Sequence, residues 1–171
     1  MPKVLLVIAN EGYQQAEYGV TKKILVDAGI LVETASDNAI PAIAQDGSTA
    51  AVNVTLENVN PDLYDGIFFI GGPGALEHLD NEASYRIIHH AAQNSIPLGA
   101  ICIATRILAQ ADILGGRKAT GWDGDGELAK IYQDFDVEYV RKNVVTDKNI
   151  ITATGPQAAQ EFGEQIVALV L

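Results

Sequence analysis

Positive charge is scarce in this chain. Eleven Lys and Arg stand against 22 Asp and Glu, for a formal net charge of −11. Recognition of phosphate needs cations gathered on one face, and the groupings at 117–119 and 140–143 are too small to supply it. Neither a nucleic acid nor an anionic membrane is an expected partner. Cysteine is nearly missing too, and the single Cys102 allows no internal disulfide. The opening MPKVLLVIANEG has an apolar core but places Glu and Gly where a secretion leader would need its cleavage site, so it reads as a first strand. A reducing cytoplasm is the expected setting. The apolar runs are too short and broken to span a bilayer as a helix. Proline is sparse at 6 residues and no compositionally biased tract interrupts the 171. The expectation is one domain over residues 1–171 with a substantial core.

Signatures of metals and cofactors are missing as well. Asp123, Asp125 and Glu127 open like a calcium loop, but Leu128 stands where that loop needs glycine, and the distal glutamate is absent. One Cys and three scattered His make no zinc set. Gly71-Gly72-Pro73-Gly74 follows a strand pattern, yet it is not G-x-G-x-x-G, and no G-x-x-x-x-G-K-[ST] occurs. No metal and no cofactor are expected.

What is present is an alternation of strand and helix periods. KVLLVIA (3–9) is an uninterrupted apolar run of the kind a strand covered on both faces shows. The stretch 11–29 carries Tyr18, Thr21, Ile24, Leu25 and Ala28 at helical spacing, with Gly29 as its stop. ILVETAS (30–36) is the next strand, which makes a βαβ start and implies parallel pairing. Residues 41–47 and 51–56 read as short strands of a small hairpin at the sheet edge. Strand 66–70, helix 81–94, strand 96–102 and a helix closed by Gly115-Gly116 follow. A short extended piece (117–122), a turn or two of helix at LAKIY and a hairpin over 137–154 around DKN come next. The chain then closes on a helix with Pro156 in its first turn. This is a three-layer α/β sandwich with a mainly parallel central sheet.

Cys102 falls where a strand gives way to a helix. The free N–H groups and dipole of a helix start stabilise a thiolate there, as in a nucleophile elbow, although AICIA is not G-x-S-x-G. On local pattern alone, a lone buried cysteine is more often inert packing. The glycine loop likewise reads either as a tight turn or as a source of N–H donors for an oxyanion.

Taken together, KVLLVIANEG with Glu17 beyond it, DGIFFIGGPGA, AIC at 100–102 and VVTDKNIITATGP resemble the DJ-1/PfpI (ThiJ/PfpI) superfamily across nearly the whole chain. The resemblance implies a flavodoxin-like sandwich, a homodimer, Cys102 as nucleophile and Glu17 as the acid beside it. It also implies backbone N–H donation from Gly72 and Ile103. A protonated Glu17 would donate to the thiolate, and the thiol is expected to be acidic, below ~6.5. Two departures qualify the likeness. Protease-like members carry His after the nucleophile, here Ile103, so peptidase activity is doubtful. Members nearer DJ-1 place His after the elbow helix, where this chain has Trp122. Trp122, Asp123, Asp125 and His78 are therefore candidates for the pocket, whereas His89 and His90 read as surface residues. The implied function is a cysteine-dependent enzyme acting on a small electrophile, hydrolase or glyoxalase-like. The rival readings are a redox or stress-response protein with an oxidisable cysteine, and a dimeric binding protein with a vestigial site.

Overall fold

A computed structural model describes all residues, 1–171. Strand β1 (Lys3–Val7) passes through the short strand β2 (Glu11–Tyr13) into helix α1 (Gln15–Asp27), and β3 (Leu31–Ser36) completes the first crossover. The irregular stretch holds β4 (Ala42–Ala44), β5 (Thr49–Ala50) and β6 (Val54–Thr55). Then come β7 (Gly66–Phe69), α2 (Ala75–Leu79), α3 (Glu82–Gln93), β8 (Leu98–Ile101) and α4 (Thr105–Gln110). The remainder comprises β9 (Lys118–Ala119), α5 (Leu128–Asp134), β10 (Glu138–Tyr139), β11 (Val144–Asp147), β12 (Ile150–Ala153) and α6 (Ala159–Val170).

Seven strands form the central sheet in the order β11-β12-β8-β7-β1-β3-β6. Every pairing is parallel except that of β11 with β12. Alternation along the strands feeds two cores. Val4, Leu6, Phe68, Ile70 and Ile151 face α1 and α6, where they meet Leu25, Phe162 and Ile166. Leu5, Val7, Ile67, Phe69 and Leu98 face α3 and α4, where they meet Ile87, Ile88, Ile107 and Leu108. Each such side chain, wholly removed from water, contributes roughly 1.5–3 kcal/mol before ordering costs. The apolar runs at 3–9 and 66–70 are thus the mark of strands covered twice. The molecule is a three-layer sandwich of the flavodoxin-like kind.

Three expectations are corrected. The helix begins at Gln15, because Glu11–Tyr13 leave the helical path to pair in parallel with β4. The small hairpin is β4 with β5; it joins β2 in a separate three-stranded sheet, and β6 alone extends the main sheet. The hairpin near the C-terminus is β11–β12, while β10 turns away to pair with β9. In each case the partner is distant in sequence, and local alternation does not reveal it.

Candidate active site

β1, β7 and β8 end side by side at the centre of the sheet, on the side where a parallel sheet binds ligands. The turn after β1 leads to Glu17, the glycine loop follows β7, and Cys102 follows β8. The fold therefore gathers at one point three segments far apart in the chain.

Cys102 has φ of 63°, a left-handed conformation that costs a residue with a Cβ and is held by its surroundings. Its carbonyl accepts from the Trp122 backbone N–H at 3.2 Å and from the Thr105 hydroxyl at 3.0 Å. A 3-10 turn over Cys102–Ala104 then runs into α4. The thiol is 9% exposed, and the backbone N–H groups of Ile103 and Gly72 point at it.

Glu17 sits in the first turn of α1 and is fully buried. The Gln14 side chain caps that helix by accepting from Glu17 N–H at 2.7 Å, which fixes where the carboxyl projects. Oε1 accepts from Gly71 N–H at 2.9 Å, whereas buried Oε2 has no hydrogen-bond partner and Cys102 lies beside the carboxyl. Gly71 has no room for a side chain. A Cβ there would come within 2.6 Å of the Cys102 Cβ and 2.7 Å of Glu17 Oε1.

Burial pushes the Glu17 carboxyl up to about 7, against the pull of the Gly71 N–H and the Cys102 thiol. Burial also pushes the Cys102 thiol up to about 12, with the negative charge of Glu17 adding to it; the Ile103 and Gly72 N–H groups oppose the rise. This environment runs against the expectation of an acidic thiol, because an ionised carboxylate beside the sulfur resists a second negative charge. The pair is better described as one unit: between its two steps it holds a single proton, on oxygen or on sulfur.

Above the pair lies a cavity of about 330 Å³ lined by Gln14, Glu17, Gln45, Gly72, Pro73, Cys102, Ile103, Trp122 and Pro156. Its ionisable groups are Glu17 and Cys102. The Gln14 carbonyl is used in capping α1, which leaves its amide N–H groups, with those of Gly72 and Ile103, as donors a carbonyl oxygen could use. Gln14 and Gln45 are not legible as site residues in the sequence: an amide before a helix or in a turn has no distinguishing pattern.

The other candidates lie outside this cavity. His78, on α2, pairs with Asp37 at 2.6 Å. Asp125 pairs with Arg106 at 2.7 Å, which lowers its carboxyl to about 2, the Glu127 N–H adding to the effect. Asp123 accepts from Leu128 N–H at 3.0 Å and faces Arg141 at 3.5 Å. Asp123 and Asp125 turn their carboxylates toward cations and backbone donors rather than toward the sulfur. His89 meets the Ala111 carbonyl and His90 meets Asp62, both at 2.7 Å and away from the cavity. No group of three or more His, Cys, Asp or Glu is arranged to hold a metal ion. No helix is long and apolar enough to cross a membrane.

A family model described as the DJ-1/PfpI family matches residues 2–169. An uncharacterised protein of Methanocaldococcus jannaschii is 30% identical over 166 residues, covering 96% of this chain and 80% of its own length. An uncharacterised protein of Staphylococcus aureus is 30% identical over 169 residues, covering 96% of each. Among solved structures, a ThiJ/PfpI domain protein from Brachyspira murdochii superposes with a TM-score of 0.92 at 24% identity, over 98% of this chain and 95% of that one. Drosophila melanogaster DJ-1beta gives 0.87 at 23%, over 99% and 90%. At these identities the structural likeness speaks for the fold.

Proposed function

The chain belongs to the DJ-1/PfpI family, and on that premise we propose that it is a cysteine-dependent enzyme acting on a small, uncharged carbonyl or related electrophile. The observation carrying this reading is the buried Glu17 beside Cys102, with Oε1 fixed by Gly71 and Oε2 unpartnered. An isolated structural cysteine has no use for a buried carboxyl with one oxygen unpartnered, which is costly unless it exchanges a proton.

In the one-proton state with the proton on Glu17, the Cys102 sulfur attacks the carbonyl carbon. A C–S bond forms, and the π pair of the C=O moves onto oxygen. The Gly72 and Ile103 N–H groups stabilise that oxyanion, and Glu17 delivers its proton to it, which leaves a neutral adduct and a carboxylate. Glu17 can then take the proton back as the adduct breaks down. Hydrolysis and glyoxalase-like hydration or isomerisation both pass through such an adduct. Amide cleavage also requires protonation of a leaving amine, for which the cavity has no second carrier, so peptidase activity is not part of the proposal.

That same lack of a second proton carrier favours one rival reading, in which one equivalent of a peroxide takes Cys102 to the sulfenic acid and a second takes it to the sulfinic acid, each leaving as the alcohol or water, and no turnover follows. A homodimer in a reducing cytoplasm belongs to the proposal and is tested by light scattering for the assembly. The deciding experiment is a screen of small aldehydes, esters and amides against wild type, Cys102→Ser and Glu17→Gln in parallel. Turnover in wild type alone supports the enzyme. A single stable adduct or sulfinic acid by mass spectrometry, without turnover, favours the rival.

A further inference from the structure

Arg106 is an unusual residue to find beneath the elbow. It lies on α4, one turn beyond Cys102, is only 7% exposed, and is not among the residues lining the cavity. A buried guanidinium has to be paired, and this one directs both terminal nitrogens at a single loop, its buried Nε being left without a partner. Its Nη1 and Nη2 donate to Asp125 Oδ2 and Oδ1 at 2.9 and 2.7 Å, a two-pronged grip. Nη2 also donates to the Trp122 carbonyl at 3.2 Å, and the guanidinium lies 5.4 Å from the Trp122 ring.

The indole is held from another direction as well. A Cβ on Gly124 would come within 2.6 Å of Trp122 Cε2 and 2.9 Å of its Nε1, so the ring rests directly on that glycine's backbone. Asp125 is further fixed by accepting from Glu127 N–H at 3.1 Å. Trp122 therefore meets both Gly124 and the Arg106 guanidinium while its backbone N–H braces the Cys102 carbonyl at 3.2 Å. The large apolar wall of the cavity and the backbone of the elbow hang from the same ion pair.

We propose that the Arg106–Asp125 pair is a latch that positions Trp122 and so determines the size of molecule admitted to Cys102. Arg106 and Asp125 are positioning residues: they act through the indole and touch no substrate. The proposal rests on the reading of Cys102 as the reacting group, and it assigns to the Asp123–Glu127 segment a selective role in place of an acid–base one.

The test uses the full chain with two thiol reagents, iodoacetamide and the bulkier N-phenylmaleimide, together with acrylamide quenching of fluorescence. Trp122 is the sole tryptophan, so the emission reports the wall alone. Asp125→Asn keeps the side chain's shape and drops its charge. Gly124→Ala leaves the ion pair in place and pushes on the indole directly. Both variants are expected to increase quenching. Both should also raise the phenylmaleimide rate relative to iodoacetamide by about tenfold, the scale on which pocket walls discriminate neighbouring sizes. Asp125→Glu, which keeps the charge, should return part of the way to wild type. Rate ratios and quenching equal to wild type in both variants overturn the latch. So does a lower melting temperature in Asp125→Asn with neither signal changed, since the pair would then be structural only. If native wild type reacts with neither reagent, the nucleophile reading fails by itself, and quenching still decides the latch.

Discussion

The shared proton of Glu17 and Cys102 governs what this site can do at a given pH. Below about 7 both groups are protonated and the sulfur is a poor nucleophile. As the first proton leaves, a fraction of the pair becomes thiolate beside a neutral carboxyl; only towards 12 is the thiolate complete. Alkylation of native wild type with iodoacetamide should accordingly rise in two steps, one near neutrality and one at high pH. Glu17→Gln removes the opposing charge and the exchangeable proton, so a single step is expected, at lower pH than the upper step of wild type. A single wild-type step at the free-thiol value of ~8.5 would show that the carboxyl and sulfur are not coupled.

At the scale of elements, β2 acts as a strap across the glycine loop. Gly74 N–H donates to the Gly12 carbonyl at 3.0 Å, and Gln14 N–H donates to the Gly71 carbonyl at 2.9 Å. Gly12 makes this approach with φ of 82°, and a Cβ on it would press on Gly74 N at 3.0 Å. Gly12→Ala should lower stability by about 1–2 kcal/mol, read as a shift in the urea midpoint. It should also slow Cys102 alkylation, because the loop that presents Gly72 N–H is displaced. A urea shift with an unchanged alkylation rate would confine the strap to structure. The strap also marks where sequence reading stops. β1 and β7 announce themselves, since an unbroken apolar run of that length suits a strand covered on both faces and little else. β2 is three residues whose pairing partner lies about thirty positions on, and β9 and β10 are two residues each. Cys102 and the glycine loop are flagged by local pattern, which leaves their roles open; Glu17, Gly72 and Ile103 are nameable through family likeness alone. Gln14, Gln45 and the grip of Arg106 on Asp125 depend on which way a loop folds back, and no local period encodes that.

For the whole molecule, the buried carboxyl carries a stability cost that depends on pH. Glu17 binds its proton more tightly folded than unfolded, its value rising from 4.5 to about 7. Its contribution is fully present below about 4.5 and is lost as pH rises through 7, because the charged form must be held out of water. Wild type should therefore lose up to about 3 kcal/mol relative to Glu17→Gln between pH 4.5 and 8, measured by urea unfolding of both proteins. A difference that stays constant with pH would mean that the carboxyl is as easily ionised inside as outside.

The strand order has a kinetic consequence. β8, which ends one residue before Cys102, lies between β7 and β12, so its flanks close only when Ile150–Ala153 have reached Leu98–Ile101. Pairings between such distant segments carry a large loop-closure cost and form slowly compared with helices. The lone thiol is thus a clock for the last stage of refolding. In a pulse-alkylation experiment after dilution from urea, protection of Cys102 should lag the recovery of the far-ultraviolet helical signal. Its half-time should instead track the native emission of Trp122, whose backbone N–H closes over the same cysteine's carbonyl.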